Sequence, residues 1–128
     1  MQIFVLFGIT GDLARKRIIP ALIEIEKQNK ITTRSTSQLA IGVGRKPQAP
    51  AEFSQLKKRL YLSGELNAAS TFRNLKKEIY TRITAAGALT NHTVIVYSSL
   101  PPQMHLALAQ LFAKYAVDSK LNKKFNVQ

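Results

Sequence analysis

Residues 3–20 decide the fold, and they read IFVLFGITGDLARKRIIP. The five apolar residues that open this stretch are mostly β-branched or aromatic, which is typical of a short strand buried on both faces. Gly8 ends the run and Gly11 follows three residues later, so the chain can turn tightly without a side chain in the way. Asp12 is a favourable helix N-cap, and a helical pattern continues to about residue 28. The stretch therefore predicts a strand, a glycine turn and a helix.

A glycine turn that opens a helix is a favourable place for a phosphate group. The backbone N–H groups of the first helical turn point outward, and the helix dipole favours negative charge there. Arg15, Lys16 and Arg17 lie in this region, where cations are normally unfavourable, so they indicate that an anion is expected nearby. The spacing departs from the Gly-x-Gly-x-x-Gly dinucleotide fingerprint, with Ala14 at the third glycine's place. An ordinary strand-to-helix connection that holds two glycines is the alternative at this point.

The rest of the chain alternates strands and helices. Apolar runs predict further strands at 39–44, 60–64 and 93–97 and the beginning of a strand at 124–128, and helical spacing predicts helices at about 51–59, 69–85 and 102–117. Asn67 or Ser70 is expected to cap the 69–85 helix and Gly87 to end it, while Pro20 is expected to kink the first helix. The alternation predicts an α/β fold: an open, mainly parallel twisted sheet of about five strands with helices on both faces.

Composition limits the class of protein. The 128 residues suffice for one domain, and the absence of cysteine excludes disulfides, Cys-ligated zinc and thiol catalysis. The absence of cysteine is also compatible with a reducing, cytoplasmic setting. No apolar stretch reaches membrane-spanning length, and residues 1–7 do not form a secretory signal.

The chain is strongly basic, with 19 Lys and Arg against 7 Asp and Glu and a net charge of +12. Such a balance attracts polyanions, which include nucleic acids and phosphorylated cofactors. The basic residues come in short groups without interleaved aromatics, which makes nucleic acid an unlikely partner. The groups at 57–59 and 76–77 are interpreted as solvated surface.

Two further loops follow strands that end beside the glycine turn in a parallel sheet. In NAD-binding folds the second strand ends in a carboxylate that holds the ribose 2′-hydroxyl, whereas here it ends in Gly44-Arg45-Lys46. An arginine pairs with a 2′-phosphate, so the cofactor is predicted to be NADP rather than NAD. The third loop spans 98–102, where small serines allow close approach of a ligand and two prolines stiffen the chain. A surface Arg-Lys pair and an ordinary stiff turn are the alternatives.

Taken together, these segments resemble the amino-terminal domain of glucose-6-phosphate dehydrogenases. The segments that carry the resemblance are Phe7-Gly8-Ile9-Thr10-Gly11-Asp12-Leu13-Ala14-Arg15-Lys16-Arg17 with Ile19-Pro20, Ile41-Gly42-Val43-Gly44-Arg45, Tyr61-Leu62-Ser63-Gly64-Glu65-Leu66 and Tyr97-Ser98-Ser99-Leu100-Pro101-Pro102. They occur in the family's order and cover nearly the whole chain. Two of them depart from the family pattern: Glu65 and Leu66 replace an Asp and a Tyr, and Ser98 and Ser99 replace a Leu and an Ala.

The resemblance implies an NADP-binding, Rossmann-like domain over residues 1–128. It places Gly8, Thr10, Gly11, Asp12 and Leu13 around the pyrophosphate, Arg45 with Lys46 at the 2′-phosphate, and Ser98, Leu100 and Pro101 near the nicotinamide. It also implies hydride transfer from glucose 6-phosphate to NADP, as in the pentose phosphate pathway.

The family's Glu-Lys-Pro-Phe-Gly and Asp-His-Tyr-x-x-Lys segments, which hold the sugar phosphate and the catalytic base, do not occur in these 128 residues. His92 and His105 do not match that base and are expected to be surface or boundary residues. No catalytic residue and no metal ligand is therefore predicted, and binding of glucose 6-phosphate would require the missing part. The domain is expected to be incomplete at its C-terminal end.

An incomplete sheet would have an unpaired edge and a tendency to form homo-oligomers. Two other functions stay open at this point: a basic α/β nucleic-acid-binding module, and a regulatory or structural remnant of the family without chemistry.

Overall fold

Five parallel strands form one sheet with the order β3-β2-β1-β4-β5. The computed structural model describes residues 2–31, 38–65, 68–87, 92–98, 104–106, 109–110 and 125–127. The strands are β1 (Gln2–Phe7), β2 (Gln38–Gly44), β3 (Arg59–Ser63), β4 (Thr93–Ser98) and β5 (Phe125–Val127). All five predicted strands are confirmed to within two residues at each end.

The central strand β1 separates two hydrophobic cores. Alternate residues of a strand point to opposite faces, so Ile3, Val5 and Phe7 pack on one side and Phe4 and Leu6 on the other. Helix α2 (Ala69–Ala85) covers the first face through Phe72, Leu75, Ile79 and Ile83. Helix α1 (Ile19–Ile31) covers the second face through Ile19 and Leu22. The predicted arrangement of helices on both faces is confirmed.

The direction in which successive strands are added to the sheet reverses at β1. The chain passes from β1 through β2 to β3 on one side and then crosses to β4 on the other. In open parallel sheets, ligands bind at the carboxyl ends of the strands where the order reverses. The carboxyl ends of β1, β2 and β4 meet at this edge, because Phe7 pairs with both Val43 and Ser98.

The first helix accommodates Pro20 by a change of hydrogen-bond spacing. A π-helical segment, Ala14–Ile18, precedes α1, and the Ile19 N–H donates to the Ala14 carbonyl five residues earlier. Proline has no N–H to donate, and a wider turn just before it is one way to absorb that loss. A π segment thus precedes the proline, the kink at Pro20 stays a prediction, and the helix continues to Ile31 rather than residue 28.

The predicted helix at 51–59 is wrong in length and type. A 3-10 helix spans only Ala51–Gln55, and Leu56 is already extended, with φ −77° and ψ 134°. The Glu26 carboxylate of α1 accepts the Lys57 N–H at 3.0 and 3.1 Å, so a contact with a distant element ends the helix. The Lys58 and Arg59 side chains that follow are exposed, as predicted.

The ends of α2 are partly as predicted. Its N-cap is Ala68, with no side-chain hydrogen bond, so Ser70 is a helical residue and not a cap, and Asn67 lies outside the described residues. Gly87 ends the helix with φ 66°, and its N–H donates to the Thr84 carbonyl at 3.1 Å. Of the predicted helix at 102–117, only 105–106 and 109–110 are described as helical, and the rest lies outside the described residues except Met104.

Gly42 allows the loop after β1 to pack onto the sheet. A Cβ at this position would lie 2.3 Å from Ile9 Cδ1 and 3.2 Å from Phe53 Cζ, and both side chains are almost fully buried. We expect Gly42→Ala to lower the free energy of unfolding by about 1 kcal/mol, the low end of overpacking costs, because the terminal methyl of Ile9 can rotate away. Urea denaturation measures this, and an unchanged midpoint would contradict the packing.

Candidate functional site

The glycine turn is fixed to the end of β2. Gly8 has φ 77°, a left-handed conformation that side chains disfavour, and its N–H donates to the Val43 carbonyl at 3.0 Å. The Gly11 N–H closes the turn on the Gly8 carbonyl at 3.1 Å. Ile9 is fully buried within the turn. The turn and the residues that follow β2 therefore lie on the same side of the molecule, as the NADP interpretation requires.

The first helix begins one residue earlier than the sequence indicated. The first hydrogen bond of the helix runs from the Arg15 N–H to the Gly11 carbonyl at 3.1 Å, which makes Gly11 the N-cap and Asp12 the first helical residue. The prediction of Asp12 as N-cap is wrong by one position. Amides of the first helical turn have no acceptor within a helix, so Asp12, Leu13 and Ala14 supply the groups for an anion. The amides of Gly8 and Gly11 are already bonded to the protein.

A hollow of about 350 Å³ opens between the turn and the chain after β2. Its lining combines the hydroxyl-bearing Thr10, the cations Arg15 and Lys46, the carboxylate Glu52, and the residues Gln48, Ala49, Pro50 and Ala51. Two of the predicted site residues, Thr10 and Lys46, are therefore brought together. Arg45, the residue before Lys46, is exposed directly after β2.

Arg15 and Glu52 form an ion pair at this hollow. Arg15 Nη2 lies 3.2 Å from Glu52 Oε1, and Arg15 Nη1 lies 3.7 Å from Asp12 Oδ1. A hydrogen bond from its own backbone N–H, followed by the Arg15 hydrogen bond, lowers the pKa of Glu52. Because that pKa is lowered, any stabilisation by the pair is present above the ordinary Glu range and is lost only as the pH falls through the lowered value. The sequence did not predict this pair, whose members are 37 positions apart.

A second, smaller hollow of about 20 Å³ lies on the β4 side of the turn. Leu13 and Ser98 line it with the apolar residues Leu6, Phe7, Ala14 and Ile18 and with Tyr97. Leu13 is half exposed. Leu100 and Pro101, the other residues predicted near the nicotinamide, lie outside the described residues.

Tyr61 of β3 reaches the segment that holds the two predicted 2′-phosphate residues. Its hydroxyl donates to the Lys46 carbonyl at 2.6 Å. Burial raises the pKa of the Tyr61 phenol, so it remains a donor at neutral pH. The sequence pointed to Tyr61 only through a family pattern and gave it no role.

The two histidines differ in their surroundings. His92 is buried directly before β4, whereas His105 is exposed. The expected surface position is therefore confirmed for His105, whereas His92 lies at the boundary of a strand but is buried.

The residues at this edge fit a dinucleotide with phosphate groups. First-turn amides and the Thr10 hydroxyl are donors for phosphate oxygens, and Arg15, Arg45 and Lys46 supply positive charge. A Cβ on Gly11 would meet only the Gly8 carbonyl oxygen, at 3.4 Å, so the turn is open to close approach. Two carboxylates that pair with Arg15, those of Glu52 and Asp12, oppose an anion.

The fold and this edge define a dinucleotide-binding domain of the Rossmann-like class. Residues 5–60 match the family model described as the glucose-6-phosphate dehydrogenase NAD-binding domain. The match covers the second half of β1, the glycine turn, the first helix, β2 and the start of β3. The resemblance predicted from the sequence is confirmed: residues 5–60 are similar to the nucleotide-binding domain of glucose-6-phosphate dehydrogenases.

Solved structures share the fold at low identity. A glucose-6-phosphate dehydrogenase in complex with glucose-6-phosphate is similar over 99% of this chain and 29% of its own, with a TM-score of 0.76 and 17% identity. Glucose-6-phosphate 1-dehydrogenase from Mycobacterium avium gives a TM-score of 0.71 at 22% identity, covering 98% of this chain and 28% of that one. This chain therefore spans less than a third of the length of either enzyme.

A short-chain dehydrogenase/reductase from Veillonella parvula in complex with NADP is more distant. Its TM-score is 0.51 at 10% identity, and the similarity covers 98% of this chain and 46% of that one. No curated protein matches the chain significantly by sequence. In the described part of the structure, no helix combines the length and apolar character needed to cross a membrane.

Proposed function

We propose that this chain binds NADP in preference to NAD, as the nucleotide-binding domain of a glucose-6-phosphate dehydrogenase-like enzyme. The observation that carries the proposal is the placement of Arg45 and Lys46 directly after β2, next to the glycine turn, to which β2 is bonded through the Val43 carbonyl. A NAD-specific domain has a carboxylate at the end of this strand, and a carboxylate would repel a 2′-phosphate.

Each predicted site residue has a role in this proposal. The pyrophosphate lies at the turn formed by Gly8, Thr10 and Gly11 and at the amides of Asp12 and Leu13. The guanidinium of Arg45 and the ammonium of Lys46 bind the 2′-phosphate. Ser98, which lines the smaller hollow together with Leu13, borders the nicotinamide, and Leu100 and Pro101 keep the nicotinamide contact that the resemblance implies.

The oxidation of glucose 6-phosphate would require further residues. Hydride transfer from a sugar hydroxyl needs a base within hydrogen-bond distance of that hydroxyl, while the nicotinamide supplies the hydride acceptor. The two family segments that hold the base and the sugar phosphate do not occur in these 128 residues. We infer that the chain alone binds the nucleotide but does not oxidise the sugar, and that the domain is one part of the enzyme's machinery.

Nucleotide titration tests the proposal. NADPH and NADH fluorescence is measured as the wild-type chain is added, at one fixed ionic strength. We expect NADPH to bind more tightly by about ten-fold or more, which corresponds to one or two charged hydrogen bonds to the extra phosphate. Equal affinity for the two nucleotides would contradict the proposal.

Glu52 is expected to weaken phosphate binding. Because its carboxylate lines the same hollow as Lys46 and pairs with Arg15, Glu52→Gln should strengthen NADPH binding about three-fold at low salt, in keeping with the small energy of exposed ion pairs. The gain should shrink as salt is added. Glu78→Gln on α2 changes the net charge equally and is the matched control. Weaker binding by Glu52→Gln would instead show that Glu52 holds Arg15 in place for the nucleotide.

A further inference from the structure

Arg45 lies between two residues that β3 holds by hydrogen bonds. On one side, the Gly64 N–H that follows β3 donates to the Gly44 carbonyl at 2.9 Å. On the other side, the Tyr61 hydroxyl donates to the Lys46 carbonyl at 2.6 Å. The backbone on both sides of Arg45 is therefore held by the neighbouring strand.

The Tyr61 side chain can reach Lys46 because Gly44 has no side chain in the way. Tyr61 pairs with Gly42 across the sheet, so its ring lies beside the end of β2. A Cβ on Gly44 would lie 2.7 Å from the Tyr61 hydroxyl oxygen and 3.1 Å from Thr10 Cγ2. The Tyr61 ring therefore packs over Gly44, and its hydroxyl lies at Lys46, close to Thr10 of the glycine turn.

We propose that Tyr61 is a positioning residue that sets the selectivity for the 2′-phosphate by fixing the backbone on which Arg45 and Lys46 stand. The inference rests on the proposed function, because selectivity is defined only for a chain that binds NADP. A cation held in advance loses less conformational freedom when it binds a phosphate, and this gain applies only to ligands that carry the phosphate. The hydroxyl does not itself contact the nucleotide in this role.

The ratio of NADPH to NADH affinity distinguishes a positioning role of Tyr61 from a purely structural one. Tyr61→Phe keeps the ring and removes only the hydroxyl, so NADPH affinity should fall about five-fold, the size expected from one lost hydrogen bond, while NADH affinity stays unchanged. Tyr80→Phe on α2 removes a hydroxyl from the helix on the first face and should change neither affinity. Equal loss of both affinities, or no loss, would overturn the inference.

A measurement without nucleotide separates this inference from the proposed function. Hydrogen exchange at the amides of residues 45, 46 and 48 should become faster in Tyr61→Phe and stay unchanged in Tyr80→Phe. Unchanged exchange in Tyr61→Phe overturns the positioning role even if the wild type prefers NADPH. A wild-type chain with no preference for NADPH overturns the proposed function and the selectivity role together, whatever the exchange result.

Discussion

Arg45→Ala is expected to weaken NADPH binding by about 10- to 100-fold, since a guanidinium–phosphate contact combines charge with paired hydrogen bonds. NADH binding should stay unchanged, because NADH has a ribose hydroxyl where NADPH has the phosphate. Fluorescence titration of both nucleotides with the variant measures the effect. The selectivity of the wild type should therefore disappear in the variant.

The control for this variant must remove the same charge elsewhere. Arg82 is exposed in the last turn of α2, and Arg82→Ala lowers the net charge by the same amount. If long-range attraction by the basic chain dominated, both variants would lose affinity for NADPH equally and both would become less sensitive to salt. Equal losses would therefore contradict a specific role for Arg45.

Gly8→Val is expected to abolish detectable NADPH binding. With φ 77°, Gly8 has a conformation that costs an L-residue about 1–2 kcal/mol, and a β-branched side chain is the least suited to it. Relief of that strain would shift the Gly8 carbonyl, which accepts the Gly11 N–H, and with it the start of the helix. The first-turn amides would then no longer face the phosphate.

Gly87 offers a matched control for backbone strain. Its φ is 66°, nothing lies within 4 Å of a Cβ placed there, and it follows the C-terminal end of α2. Gly87→Val should therefore lower the free energy of unfolding by a similar amount while NADPH binding is kept. Equal NADPH affinity in the two variants would show that the turn at residue 8 has no part in binding.

The sheet was predictable because its strands are continuous apolar runs. β1 and β2 are buried on both faces, whereas β4 buries Val94 and Val96 on one face and its other residues are half-buried. The spacing of Phe72, Leu75, Ile79 and Ile83 marked α2 in the same way, because one helix face meets the sheet. The parallel direction of the strands and the helices on both faces followed from the alternation of strands and helices, whereas the order of the strands was not predicted.

What the sequence did not reveal depends on contacts between distant residues. The 3-10 helix ends early because Glu26 accepts the Lys57 N–H from 31 positions away. The candidate site shows the same limit: its glycines and Arg45 follow a local pattern, whereas the partners of Arg15 and Tyr61 come from other elements. The Arg15–Glu52 ion pair and the Tyr61 contact therefore could not be predicted from the sequence, because each depends on how separate elements pack in the fold.

The proposed function requires that one face of the molecule binds both the diphosphate and the 2′-phosphate. Mapping of backbone amide chemical shifts during NADPH titration of the wild-type chain tests it most directly. We expect the largest shifts at residues 8–13 and at 45–46, with the shifts at 45–46 much reduced when NADH replaces NADPH. Shifts concentrated on the exposed face of α2, or equal shifts at 45–46 with both nucleotides, would contradict it.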